Sequence, residues 1–537
     1  MQPEIALSVE HLTFTYRSRQ KPAIEDVSLQ LPQGQILLLA GASGSGKTTL
    51  MRCINGLIPR TYHGVGQGDI RVFGRPISEM SMPQLSQQVG TILQDPERQI
   101  VASHVMNEVA FGLENLGLPR DEILARVDEA LAYLHIEHLR DRQTFLLSGG
   151  EKQKVALAAV LAMRPRILLL DEPLASLDPA SAHEALQIFR RLADDGIAIL
   201  LVEHRVEDVL AIAPEQVAYM DGGRILYQGT AEGLLDVVDY RRIKLPAEAV
   251  LRRARGHSEP EVKPALPPRG EAPLVCFEGV SFRYSPDSPP ILHDVSFSIY
   301  AGDVIAILGP NGAGKTTLVK HTLGLLKPTQ GRVLLEGVDT RKLTVAQAAH
   351  TVGYVFQSPS QMLFAPTVRE ELAFGPRNLK RPPQQIEQDV NWAIQTVHLE
   401  AELSTPPLAL SFGQQKRVSI AAVLAMHSRI LMMDEPTAGQ DYWNYRAFMD
   451  SILAMPGFEA ILFITHDLDL ALVYANRILL LNAGRLVADG PPPDVLSDEE
   501  RLRSNRILPT SLLRLNLEHF GRTGRFLRAE SLAQILE

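Results

Sequence analysis

Two octets of the chain, Gly41-Ala42-Ser43-Gly44-Ser45-Gly46-Lys47-Thr48 and Gly309-Pro310-Asn311-Gly312-Ala313-Gly314-Lys315-Thr316, fill every fixed position of the pattern G-x-x-x-x-G-K-[ST]. In such a loop the glycines let the backbone wrap a polyphosphate, so that successive N–H groups and a helix N-terminus point at it. The lysine adds a cation and the threonine offers a hydroxyl to Mg²⁺. The binding candidates are therefore Gly41, Gly44, Gly46, Lys47, Thr48 and Thr49 in the first loop. In the second they are Gly309, Asn311, Gly312, Gly314, Lys315, Thr316 and Thr317. One such octet could be a glycine-rich turn. Two of them, each after an apolar run (Ile36 to Ala40; Val304 to Leu308), imply that the chain binds nucleotide twice.

The loops need strands to hold them, and the chain repeats that scaffold. Gly41 and Gly309 are 268 residues apart, as are Tyr16 and Tyr284. Beyond the loops the offset becomes 263, for Gln94 to Gln357, Ser148 to Ser411 and Asp171 to Asp434. The first half thus carries five extra residues, most simply within Thr61 to Gly68. So long a period signals duplicated domains, not a solenoid. The expected organisation is α/β: a nucleotide-binding domain over 1–251, a Pro-rich linker over 252–273, a second such domain over 274–497, and an extension over 498–537. The extension reads as a helical cap on the second half or a docking element for another protein.

A third motif is more specific. Leu147-Ser148-Gly149-Gly150-Glu151-Lys152-Gln153 precedes an apolar strand and Asp171-Glu172, while Leu410-Ser411-Phe412-Gly413-Gln414-Gln415 precedes another and Asp434-Glu435. Here the chain resembles the ATP-binding-cassette ATPases over roughly 5–240 and 274–495. That resemblance implies two tandem domains, each a phosphate-loop core with an antiparallel β subdomain and a helical subdomain, with ATP and Mg²⁺ as cofactors. It implies that Asp171 and Asp434, with Thr48, Thr316, Gln94 and Gln357, hold Mg²⁺. Glu172 and Glu435 would polarise the attacking water, and His204 and His466 would contact the γ-phosphate. Tyr16 and Tyr284 would stack on adenine. In such proteins the loop of one half faces the signature of the other. One site would then join Lys47, Glu172 and His204 to Ser411, Phe412 and Gly413, and the other would join Lys315, Glu435 and His466 to Ser148, Gly149 and Gly150. Phe412 departs from the glycine expected there, and Gly439-Gln440-Asp441 departs from Ser176-Leu177-Asp178.

Gln94-Asp95-Pro96-Glu97-Arg98-Gln99 and Gln357-Ser358-Pro359-Ser360-Gln361 run into Asn107 to Leu116 and Glu370 to Leu379. These segments are similar to the energy-coupling-factor branch of vitamin and metal importers, where they grip a membrane coupling subunit. The second half has its second glutamine one position early. The resemblance implies an ATPase on the cytoplasmic face of the membrane, working with membrane-embedded coupling subunits and a separate substrate-binding membrane subunit. Alternatives are a sugar-type importer ATPase, which tends to lose one catalytic glutamate, and a soluble translation or repair factor, which would want a charged linker or zinc ligands.

Composition agrees with that reading. In 537 residues the apolar share is 45% and the formal charge −9, which gives no electrostatic footprint for nucleic acid. Cys53 and Cys276 are the only cysteines, without metal-like spacing. No basic stretch followed by an apolar core opens the chain, so no signal peptide is expected, and no apolar run is long enough to span a bilayer.

Overall fold

The computed structural model describes residues 4–175, 177–254, 264–437 and 442–536, apart from the side chain of Trp443. The altered segment Gly439-Gln440-Asp441, its counterpart Ser176 and the middle of the linker lie outside these residues. Backbone packing divides the chain into two units, residues 1–253 with 441–443, and residues 254–440 with 444–537.

The first unit is built on a six-stranded sheet ordered Arg224–Gly229, Gln216–Asp221, Ile36–Ala40, Ala198–Glu203, Ile167–Asp171, Val89–Ile92. All pairs are parallel except the edge strand Arg224–Gly229. The central strands Ile36–Ala40 and Ile167–Asp171 are buried at every position, the continuous apolar pattern of a sheet covered on both faces. A separate antiparallel sheet joins Ile24–Pro32, Ile5–Tyr16, Gly64–Val72 and Arg75–Pro76. Its alternate residues pack into one core with the phosphate-loop helix Lys47–Ile54, including Phe14, Leu50 and Ile70.

The second unit repeats this, with the sheet order Val352–Val355, Ile430–Asp434, Ala460–Ile464, Val304–Leu308, Arg477–Asn482, Arg485–Gly490. Its antiparallel sheet orders Leu292–Tyr300, Pro273–Phe282, Gln330–Leu335, Val338–Asp339. The expected tandem α/β architecture is what is seen. The five extra residues of the first half lengthen a strand: Gly64–Val72 pairs as far as Tyr16, whereas Gln330–Leu335 reaches only Ser281.

The linker differs from a free connector where it is described. Arg252 and Arg253 end the helix Ala247–Arg253. The Ala265 amide donates to Leu453 O at 2.7 Å and the Gly270 amide to Ala301 O at 3.0 Å, so this stretch lies along the second unit. The extension also caps that unit through the helices Ser511–Thr523 and Ala529–Leu536, with Leu513, Leu532 and Ala533 buried.

Candidate functional site

In each unit the functional residues meet at the C-terminal ends of the parallel strands, where crossovers leave to opposite sides of a central strand and ligands of open α/β sheets bind. Strand Ile36–Ala40 ends beside Glu203 and runs into the loop at Gly41. Val304–Leu308 does the same in the second unit, with Ile307 beside Ile464.

The loops are shaped by their glycines. Gly46 and Gly314 cap the helices Lys47–Ile54 and Lys315–Thr322 with φ of 111° and 97°, in the left-handed region. A Cβ on Gly41 would sit 2.2 Å from Met220 O, and one on Gly309 2.0 Å from Leu481 O, so only glycine fits against the neighbouring strand. Lys47 and Lys315 are buried, and their ammonium groups donate to Gly41 O and Ala42 O and to Gly309 O and Pro310 O. These bonds lay each lysine along the cradle, where the phosphates of a nucleotide would sit.

The carboxylates are placed by the strand ends. Asp171 and Asp434 are the last residues of their strands. Thr48 Oγ1 lies 3.5 Å from Asp171 Oδ1, and Thr316 Oγ1 donates to Asp434 Oδ2 at 3.0 Å. A hydroxyl beside a carboxylate is the hard-oxygen pair that suits Mg²⁺, so the residues fit that ion. Glu172 and Glu435 follow in the left-handed region, with φ of 48° and 44°, a conformation that costs a non-glycine residue energy and collects at functional sites. Their amides are tied to Val202 O and Ile464 O, each at 3.0 Å. These bonds point the side chains out of the sheet toward the loops.

The two units then diverge. His204 Nε2 lies 2.5 Å from Glu172 Oε1, and Gln94 Nε2 donates to Glu172 Oε2 at 2.8 Å. Burial opposes the charge of Glu172, but the hydrogen bond and charge of His204, with Lys47, outweigh it and hold the carboxyl below its usual range. His204 Nδ1 is buried without a hydrogen-bond partner. In the second unit His466 Nε2 stands 3.2 Å from Glu435 Oε1, without the alignment of a hydrogen bond. Gln357 is exposed, and no hydrogen bond joins it to Glu435, whose Oε1 is buried without one. Instead the Tyr354 hydroxyl donates to Asp434 Oδ2 at 2.9 Å, where the first unit has Thr91. Burial, reinforced by Asp434 and only partly offset by Lys315, pushes the Glu435 carboxyl up to about 8.

The aromatic residues keep matched places. The Tyr16 and Tyr284 hydroxyls lie 3.2 and 3.3 Å from Thr49 Oγ1 and Thr317 Oγ1, and Tyr284 is 60% exposed. The signature serines cap 14-residue helices, Gly149–Ala162 and Phe412–Ala425. Ser148 Oγ accepts from the Glu151 amide, and Ser411 Oγ from the Gln414 amide. Each serine therefore stands at a helix N-terminus, which favours an anion. Gly413 has open space around its Cβ position, and Gly150 meets only ordinary contacts. Phe412 is 40% exposed, and its ring lies 5.1 Å from the Lys416 ammonium, one helical turn along.

Several residues escaped the motif reading. Glu203 is buried and accepts from the Leu174, His204 and Arg205 amides, fixing the turn that carries His204. Glu108 and Glu371 are buried, and each accepts two amides: Val101 and Ala102 in one case, Phe364 and Ala365 in the other. Their 263-residue offset was a visible signal. Gln99, expected to face a partner, instead accepts from the Leu93 amide and donates to Thr91 O, closing its own loop.

Over residues 24–175 and 292–438 the chain matches the family model described as ABC transporter. The chain belongs to the ABC transporter family. It is 35% identical over 549 residues to a protein of Methanosarcina mazei, covering 95% of this chain and 93% of that one. It is 36% identical over 537 residues to one of Streptococcus pneumoniae, covering 95% of each. Both are named for an inferred ABC transporter ATP-binding role. Among solved structures, cbiO1 of Clostridium perfringens, described as part of the ABC transporter complex cbiONQ, is 32% identical over 47% of this chain and 99% of that one, with a TM-score of 0.40. This ABC protein binds ATP and is an ATPase. No helix among its described residues is long and apolar enough to cross a membrane.

Proposed function

We propose that this ABC ATPase is the energy-coupling subunit of an energy-coupling-factor type importer, driving uptake of a small solute such as a vitamin, vitamin precursor or metal ion through separate membrane subunits at the cytoplasmic face. The observation that carries this reading is a pair of apolar ledges beside the glutamine loops. In the first cassette Val101 and Phe111 are exposed; in the second, Phe364 and Phe374 are exposed and meet edge to face at 4.7 Å. Each ledge sits on a loop pinned by a buried glutamate, so it is a built surface. Exposed aromatic residues on a rigid support are what a partner helix buries. The ledges follow Gln94 and Gln357 in sequence, and Gln94 reaches Glu172; partner movement would thus be felt at the water-polarising carboxylate.

Within each site Lys47 or Lys315 and the loop amides would hold the phosphates, and Tyr16 or Tyr284 the adenine. Thr48 with Asp171 and Gln94, and Thr316 with Asp434 and Gln357, would hold Mg²⁺, which when bound neutralises phosphate charge. Glu172 and Glu435 would take the proton of the attacking water, with His204 and His466 orienting it. The signature residues Ser148, Gly149 and Gly150, and Ser411 and Gly413, would complete the opposite sites.

The test replaces Phe111 and Phe374 by Glu and extracts membranes in mild detergent with the tagged chain. Integral membrane proteins identified by mass spectrometry with the wild type should be lost from the double variant while ATP binding persists. Equal recovery of the same membrane proteins from both, or none from either, overturns the reading.

A further inference from the structure

The second cassette carries a network that no nucleotide motif accounts for, and it lies between the C-terminal extension and two helices that leave the ATP site. The short helix Leu468–Tyr474 begins straight after His466, capped by Asp467. In its first turn the buried Asp469 accepts from Thr510 Oγ1; at its last residue the Tyr474 hydroxyl accepts from Arg528 Nη2 at 2.9 Å and donates to Asp450 Oδ1 at 2.8 Å. Both ends of the helix that follows the switch histidine are thus fastened to the extension.

The helix Tyr442–Leu453, which follows the segment beyond Glu435, is fastened too. Arg446 and Glu530 form an ion pair at 2.6 Å with side chains only 10% and 2% exposed, and Arg528 also binds Asp450. Such a pair is costly to bury and is weak evidence for stability; it does fix one geometry. The first cassette has His183 and Gln187, both exposed, at the positions of Arg446 and Asp450.

We propose that the C-terminal extension is a positioning element of the second ATP site: Thr510, Arg528 and Glu530 hold the helices behind His466 and Glu435 so that turnover there depends on the extension. This rests on the roles given above to Glu435 and His466. These are positioning residues, since none reaches the nucleotide loop. Thr510 is the best probe, because it carries no charge itself: Thr510→Val removes its bonds to Asp469 and to the Leu513 amide, and Thr510→Ser keeps both.

The experiment labels the purified full-length protein with radioactive 8-azido-ATP, with and without vanadate, and separates the cassettes at a protease site placed between residues 255 and 263. Label without vanadate reports binding in each cassette; vanadate-trapped label reports turnover. Thr510→Val should lower trapping in the second cassette threefold or more, leave trapping in the first and binding in both within twofold, and Thr510→Ser should restore it. Equal losses in both cassettes, a parallel loss of binding, or undiminished trapping overturns the inference. A wild type that never traps nucleotide in its second cassette would instead remove the reading of Glu435, and this inference with it.

Discussion

Lys416 is the most unusual charged group in the chain. It lies on the signature helix of the second cassette, 1% exposed, with its ammonium donating to Pro436 O and 5.1 and 5.8 Å from the rings of Phe412 and Phe448. Its counterpart Gln153 makes the same bond, to Pro173 O, without a charge. Burial draws the Lys416 ammonium down from 10.5 to about 7, with Glu435 pulling the other way. That drop of about 3.5, at about 1.4 kcal/mol for each tenfold change in proton affinity, sets a ceiling of about 5 kcal/mol on the cost of burying the charge. Imperfect desolvation and the cost of reordering the amide bring the expected gain from Lys416→Gln to about 2 to 4 kcal/mol at pH 7. The sign follows from proton counting. Between about pH 7 and 10.5 the unfolded chain holds a proton that the folded one has lost, so wild-type stability rises with pH through this window by up to about 1.4 kcal/mol per pH unit, and is lowest below it. Both tryptophans, Trp392 and Trp443, lie in the second half of the sequence, so urea unfolding followed by tryptophan fluorescence reports that half. With a slope of about 3 kcal/mol per molar urea, the variant's midpoint at pH 7 should rise by about 1 M, and its climb from pH 7 to 9 should be shallower than the wild type's. A midpoint that is unchanged or lower in the variant, or a wild type insensitive to pH over this range, refutes the reasoning.

Two further outcomes concern catalysis. Glu435→Gln should remove vanadate trapping in the second cassette by a factor on the order of 10² to 10⁴ while ATP still binds, and trapping within threefold of the wild type counts against it. Phe412→Gly should change steady-state ATPase by less than about threefold, since the ring already folds back toward Lys416, whereas Gly149→Phe should cost at least tenfold; equal losses from the two changes would contradict this.

Short-range patterns determined much of this protein by themselves. The loop glycines, the strand-ending carboxylates and the signature serines are each required by local geometry: a left-handed turn, a strand end, a helix cap. Their places could therefore be named from residue type and spacing, and the doubled offset showed that the pattern occurs twice. Three-dimensional packing decided how the two copies differ. Gln94 and Gln357 look alike in sequence, yet only Gln94 reaches its glutamate, and only the second cassette has a tyrosine, Tyr354 in place of Thr91, bonded to its strand-end aspartate. Phe412 departs from the glycine expected in the signature, and its ring lies beside the Lys416 ammonium, one turn away, which in turn lies near Phe448 on a distant helix. The extension was legible as a helical cap or docking element; its grip on the helices behind His466 was not, since Arg446, Asp450 and Tyr474 lie 54 to 84 positions from their partners. Contacts of that reach leave no period in the chain, and only the folded packing brings them together.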